Sequence, residues 1–133
     1  MSQESQPERP TVLVVDDEED LRDIMRRMLD RRGFHTLVAG DAESALAICR
    51  DHEDDIAVLV TDLGLPGASG AQLAPAATAL RPAMRVIYVS GLPKEIAVAK
   101  GLIAADAVLV KKPFTSELLI EALRAVLAEK ATS

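Results

Sequence analysis

A single cysteine, Cys49, excludes an intrachain disulfide and fits a reducing compartment. It sits in AESALAICR on the apolar side of a helical pattern, so core packing rather than redox chemistry is expected of it. No apolar run approaches the ~20 residues that span a bilayer, and the polar start MSQESQPERP carries no secretory-signal pattern. Basic residues are the minority: 15 Lys and Arg against 21 Asp and Glu leave a net charge of −6, which argues against a nucleic-acid footprint. Aromatic residues number three, Phe34, Tyr88 and Phe114, so the core must be aliphatic. These absences predict a soluble, cytoplasmic protein with neither nucleic acid nor membrane as a partner.

What is present is an aliphatic alternation. With 133 residues and 49% hydrophobic content the chain can build one compact domain. Residues 1–10 read as a disordered tail, 11–130 as the domain and 131–133 as a C-terminal tail. TVLVV (11–15), FHTLVA (34–39), IAVLVT (56–61), MRVIYVS (84–90) and AVLV (107–110) read as strands. Between them run helical patterns. Leu21, Ile24, Met25, Met28 and Leu29 form one stripe, stopped by Gly33. Asp41 can cap a second helix striped by Ala42, Ala45, Leu46 and Cys49.

The third helical pattern, 71–80, contains Pro75 and should be short or displaced at its start. A fourth spans 94–105. Thr115 or Ser116 caps a fifth, striped by Leu118, Leu119, Ala122, Leu123, Val126 and Leu127. Five apolar strands alternating with five helices call for an α/β, flavodoxin-like, doubly wound parallel sheet in the order 2-1-3-4-5. In such sheets the site lies at the carboxyl ends of the strands.

The polar residues at those ends carry the chemistry. Strand one ends in Asp16-Asp17, strand three at Asp62, strand four in Ser90-Gly91, and strand five runs into Lys111-Lys112-Pro113-Phe114. Strand two ends in Ala39-Gly40, with no chemically useful side chain. Each group alone has a bland explanation: helix capping, a loop cap, a local hydroxyl hydrogen bond, a solvated cation. Together they place three carboxylates, a hydroxyl and an ammonium on one rim. Clustered carboxylates repel, and a hard divalent cation such as Mg²⁺ or Mn²⁺ relieves that cost. A carboxylate beside a metal, a lysine and a hydroxyl suits phosphoryl transfer with Asp62 as nucleophile, which needs no base because it is already ionised.

Taken as a set, VLVVDDEEDLR (12–22), VTDLGLPGASG (60–70), VIYVSG (86–91) and LVKKPF (109–114) resemble the receiver domain of two-component response regulators. The resemblance runs from about Val12 to about Glu129. It implies that Asp62 is the phosphoacceptor, that Asp16, Asp17, Asp62 and the backbone carbonyl of Gly64 hold Mg²⁺, and that Ser90 and Lys112 bind the phosphoryl group. It also implies a cis peptide at Lys112–Pro113. The pattern breaks at Leu109, where family members usually carry Tyr or Phe. A leucine offers less area and no polar tip. Signalling through the face of the fourth helix, fifth strand and fifth helix is therefore expected to be muted or to use another group. Gly64, two positions past Asp62, leaves that flank open to water, which favours fast loss of phosphate.

With the sequence running out after the fifth helix, a stand-alone receiver is expected, and the resemblance implies a signalling domain rather than a turnover enzyme. It would take phosphate from a histidine kinase or histidine phosphotransfer protein and either signal to a downstream protein by contact or pass the phosphate on. Neither His35 nor His52 suits a phosphohistidine role. The sparsely charged IAVAKGLIAA serves either core packing or a partner or homodimer face. The alternatives are a receiver-like module that binds without phosphate, and a metal-dependent aspartyl-phosphate phosphatase. The second usually needs Asp-x-Asp on the first strand and a cap, neither of which the sequence offers.

Overall fold

The apolar runs form five parallel strands in the computed structural model, which describes residues 9–64 and 70–132. They are β1 (Thr11–Val15), β2 (His35–Ala39), β3 (Val58–Asp62), β4 (Arg85–Ser90) and β5 (Val108–Lys111), ordered β2-β1-β3-β4-β5. Five helices connect and cover them: α1 (Glu19–Arg31), α2 (Ala42–Asp51), α3 (Gly70–Leu80), α4 (Lys94–Ala99) and α5 (Ser116–Thr132). This is the flavodoxin-like architecture that the alternation predicts.

Strand side chains alternate between two faces. Val12, Val14, Val58, Val60, Ile87, Val89 and Val110 pack under Met25 and Leu29 of α1 and Leu119, Ile120, Leu123 and Val126 of α5. Leu13, Val15 and Leu59 pack on the other face under Ala45 and Cys49 of α2 and Leu73, Ala74 and Ala77 of α3. Cys49 is thus a core residue. A smaller cluster holds Leu63, Ala97 of α4 and Ile103, with Tyr88 and Leu109 against it. The small residues on α2 and α3 let those helices lie close to the sheet.

Several boundaries differ from the sequence reading, each for a local reason. Arg9 and Pro10 are not loose: Arg9 donates to the carbonyls of Asp30 and Phe34, and the Pro10 carbonyl accepts from His35 N–H. The rest of the expected tail, and 65–69 of the loop after Asp62, lie outside the described residues. Ile24 projects into solvent, 61% exposed, so the α1 stripe is narrower than expected. Pro75 lies within α3 rather than in its first turn. Helix α4 is half its expected length and is followed by Gly101 at φ 76. Thr115, not Ser116, caps α5, its hydroxyl accepting from Leu118 N–H. Ile120 joins the α5 core face while Leu118 is half exposed. Helix α5 continues to Thr132, through residues expected to trail off.

Candidate functional site

Parallel strands of matched register bring their carboxyl ends to one rim, and three carboxylates meet there. Oxygen atoms of Asp16, Asp17 and Asp62 lie within 4.8 Å of one another. Asp16 is buried, Asp62 partly so, and Asp17 is exposed. Lys112 donates from Nζ to Asp62 Oδ2 at 2.6 Å and lies 3.5 Å from Asp16 Oδ2. The Lys112–Pro113 peptide is cis, as expected. Asp62 Oδ1 accepts from the Gly64 amide at 2.8 Å. Among the described residues, Lys111 points outward and makes no ion pair with this cluster.

The electrostatics follow from burial and crowding. Burial pushes the Asp16 carboxyl up; the Glu18 amide and Lys112 pull it back, while Asp62 pushes the same way as burial. Burial alone would lower the Lys112 ammonium, but the hydrogen bond and charge of Asp62, with those of Asp16, outweigh it and hold Lys112 protonated above its usual range. Three carboxylates against one ammonium leave two negative charges at the rim. An all-oxygen donor set with an exposed member fits a hard divalent cation that keeps some of its water. Asp16, Asp17 and Asp62 are the side chains that would hold it.

Ser90 sits differently from the carboxylates. Asp62 follows Val58 and Val60, which face α1 and α5, whereas Ser90 follows Val86 and Tyr88, which face the opposite layer. Its hydroxyl accepts from the Leu92 amide at 3.0 Å, and its carbonyl accepts from Lys112 N–H. The hydroxyl is thus held locally, one strand away from Asp62. Leu109 lies opposite Tyr88 in the β4–β5 register, and both pack on Leu63, Ala97 and Ile103. Strand register thus sets a ring, that of Tyr88, beside Leu109.

Two residues at the rim escaped the sequence reading. Arg22, in the first turns of α1, donates from a terminal nitrogen to the Asp16 carbonyl at 2.7 Å. Gly40, at the end of β2, faces it: a Cβ there would lie 3.0 Å from that guanidinium. The edge strand, read as contributing nothing, contributes a space. An arginine six residues after a strand-end Asp gives no pattern that distinguishes it from a solvated helix residue.

The family model of the response regulator receiver domain matches residues 12–124. The chain belongs to that family. Its relatives include the sensory transduction protein RegX3 of Mycolicibacterium smegmatis, 39% identical over 121 residues, covering 91% of this chain and 52% of RegX3. The transcriptional regulatory protein CreB of Escherichia coli is 33% identical, covering 90% of this chain and 52% of CreB. A response regulator receiver protein from Sinorhizobium medicae has the same fold, with a TM-score of 0.80 and 28% identity, over 92% of this chain and 98% of that one. This receiver domain spans about half the length of the curated relatives it matches. No helix among its described residues is long and apolar enough to cross a membrane. Receiver domains accept phosphoryl groups and bind Mg²⁺ at an acidic pocket, and the Asp16–Asp17–Asp62 cluster fits that pocket.

Proposed function

We propose that Asp62 is the phosphoacceptor of this receiver domain, with phosphohistidine on a histidine kinase or histidine phosphotransfer protein as donor. The observation that carries this is the pairing at Asp62: one carboxylate oxygen meets Lys112 at 2.6 Å while the neighbouring carboxylates supply the metal ligands. An Asp62 oxygen forms the new O–P bond as the P–N bond breaks. The P–N electron pair stays on the imidazole, which leaves neutral when its other nitrogen carries a proton. Mg²⁺, when bound by Asp16, Asp17, Asp62 and the Gly64 carbonyl, offsets charge on the phosphoryl oxygens. Lys112, already against Asp62 Oδ2, would neutralise a further phosphoryl oxygen. The Ser90 hydroxyl reaches the phosphoryl group by giving up its bond to the Leu92 amide, which makes it the switch.

Because the acceptor is itself modified and must be cleared before the next transfer, the chain is a signalling domain rather than a turnover enzyme. It acts alone or as one part of a longer regulator, through a downstream protein, in the cytoplasm. Every acidic and lysine position the chemistry requires is filled, which favours this reading over a module that works without phosphate. The test is incubation with Mg²⁺ and acetyl phosphate followed by intact mass. One added phosphoryl group is expected, and none with Asp62→Asn. An unmodified wild type, or an adduct that survives the substitution, overturns the reading.

A further inference from the structure

We infer that Arg22 is a positioning residue for the metal-binding carboxylates, and that Gly40 exists to admit it. The inference rests on the proposed role of Asp16 and Asp17 as metal ligands. Strand β1 ends at Val15 and α1 begins at Glu19, so the intervening turn must be held by something other than a ladder or a helix. Three bonds hold its first residue. Asp16 N–H donates to the Ala39 carbonyl at 3.2 Å, Asp16 Oδ1 accepts from the Glu18 amide at 2.9 Å, and the Asp16 carbonyl accepts from Arg22 at 2.7 Å. The last is the shortest and is made to a charged donor, the stronger kind of hydrogen bond. Asp16 is only 3% exposed, so its carbonyl has little water to turn to if Arg22 is withdrawn.

The guanidinium reaches that carbonyl across Gly40. A Cβ at 40 would sit 3.0 Å from a terminal nitrogen of the guanidinium, tight enough that the flexible arginine would have to shift by a few tenths of an ångström away from its place. Arg22 also favours the charged form of the Asp41 carboxyl, behind the hydrogen bonds from Ser44, so its charge is felt in the loop that follows β2. The sequence therefore places a cation beside a site built to attract cations. Electrostatics alone opposes metal binding there. Its geometric contribution, fixing the turn that carries two of the three carboxylates, favours it. The two effects have opposite signs, and the inference is that geometry dominates.

Isothermal titration of the metal-free protein with Mg²⁺ separates them. Removing an outer hydrogen bond to a metal ligand weakens metal affinity on the order of tenfold. Arg22→Gln should do so, although it removes a positive charge. Arg22→Lys should recover part of the loss by supplying a shorter donor. Gly40→Ala should weaken Mg²⁺ without changing charge, and should have no further effect in the Arg22→Gln background. Protection of the Glu18 amide from hydrogen exchange should fall in the same variants. Unchanged or tighter Mg²⁺ binding by Arg22→Gln overturns the inference, as does a Gly40→Ala effect that persists without Arg22. Thermal melts identify any variant that fails to fold, and if Gly40→Ala does, the comparison of Arg22→Gln with Arg22→Lys carries the test. A wild type that binds Mg²⁺ but takes no phosphate would sink the proposed function while leaving this test intact.

Discussion

At the residue scale, the proposed phosphoacceptor Asp62 raises the question of what would guard a phosphoryl group placed there. Position 64 is decisive because of where its side chain would go. A Cβ on Gly64 would lie 3.5 Å from Asp62 Oδ1, an ordinary contact that needs no rearrangement. Gly64 is exposed and its φ is not in the left-handed region, so a larger residue is tolerated there. An arginine at 64 would lay its stem beside the acyl phosphate and its guanidinium over the oxygens, excluding in-line water and pairing with the phosphate. Gly64→Arg is expected to slow loss of phosphate by roughly tenfold, a barrier change of about 1.4 kcal/mol. Following the phosphorylated fraction after donor removal checks this; an unchanged rate means that water does not approach along that flank.

At the element scale, helix ends were legible where a cap residue has its own chemistry and illegible where packing decides. Asp41 was readable because a carboxylate before an apolar stripe has few other uses, and its side chain accepts from Ser44 N–H at 2.8 Å. That bond, followed by the Ser44 hydroxyl, depresses the Asp41 carboxyl below its ordinary 3.8. The charge on this cap therefore stabilises α2 above pH 3.8, and the contribution is lost as pH falls through the lower folded value. Asp41→Asn keeps a capping oxygen but no charge. Its Tm should lie below wild type at neutral pH, and the gap should narrow as pH falls below the ordinary 3.8. A gap that stays constant with pH would show that the charge contributes nothing.

Pro75 shows the opposite case at the same scale. Propensity alone places it in a first turn, yet α3 runs through it to Leu80, because Leu73, Ala74 and Ala77 bury the face on which the helix rests. Burying a leucine contributes about 1.5–3 kcal/mol, enough to offset much of the ~3 kcal/mol a mid-helix proline costs. The Thr78 hydroxyl donates to the Ala74 carbonyl within that stretch. Likewise α4 ends at Ala99 although apolar residues continue to Ala105, since Leu102 and Ile103 pack toward Leu63 and Ala97 from outside the helix. Apolar content predicted their burial but not their backbone.

At the scale of the whole molecule, the strand order and the convergence of Asp16, Asp17, Asp62 and Lys112 were legible because a parallel sheet puts every strand's carboxyl end on the same rim. Arg22, Gly40 and the Tyr88–Leu109 pairing were not, since each depends on register or on an empty volume that no linear pattern encodes. The assembled rim has a consequence for the entire fold. Three carboxylates, one of them the buried Asp16, share a single ammonium, Lys112, so the rim carries more negative charge than its hydrogen bonds and ion pairs offset. A cation that binds the folded chain and not the unfolded one must stabilise the whole domain by linkage. At a hundredfold excess over its Kd, Mg²⁺ should add about 2.7 kcal/mol and raise Tm by roughly 10 °C, and EDTA should reverse it. Asp16→Asn removes a buried charge and one ligand at once. Its metal-free Tm should rise above that of the metal-free wild type, while its response to Mg²⁺ should nearly vanish. If Mg²⁺ and EDTA give the wild type the same Tm, the three carboxylates do not form a metal site, however close they lie.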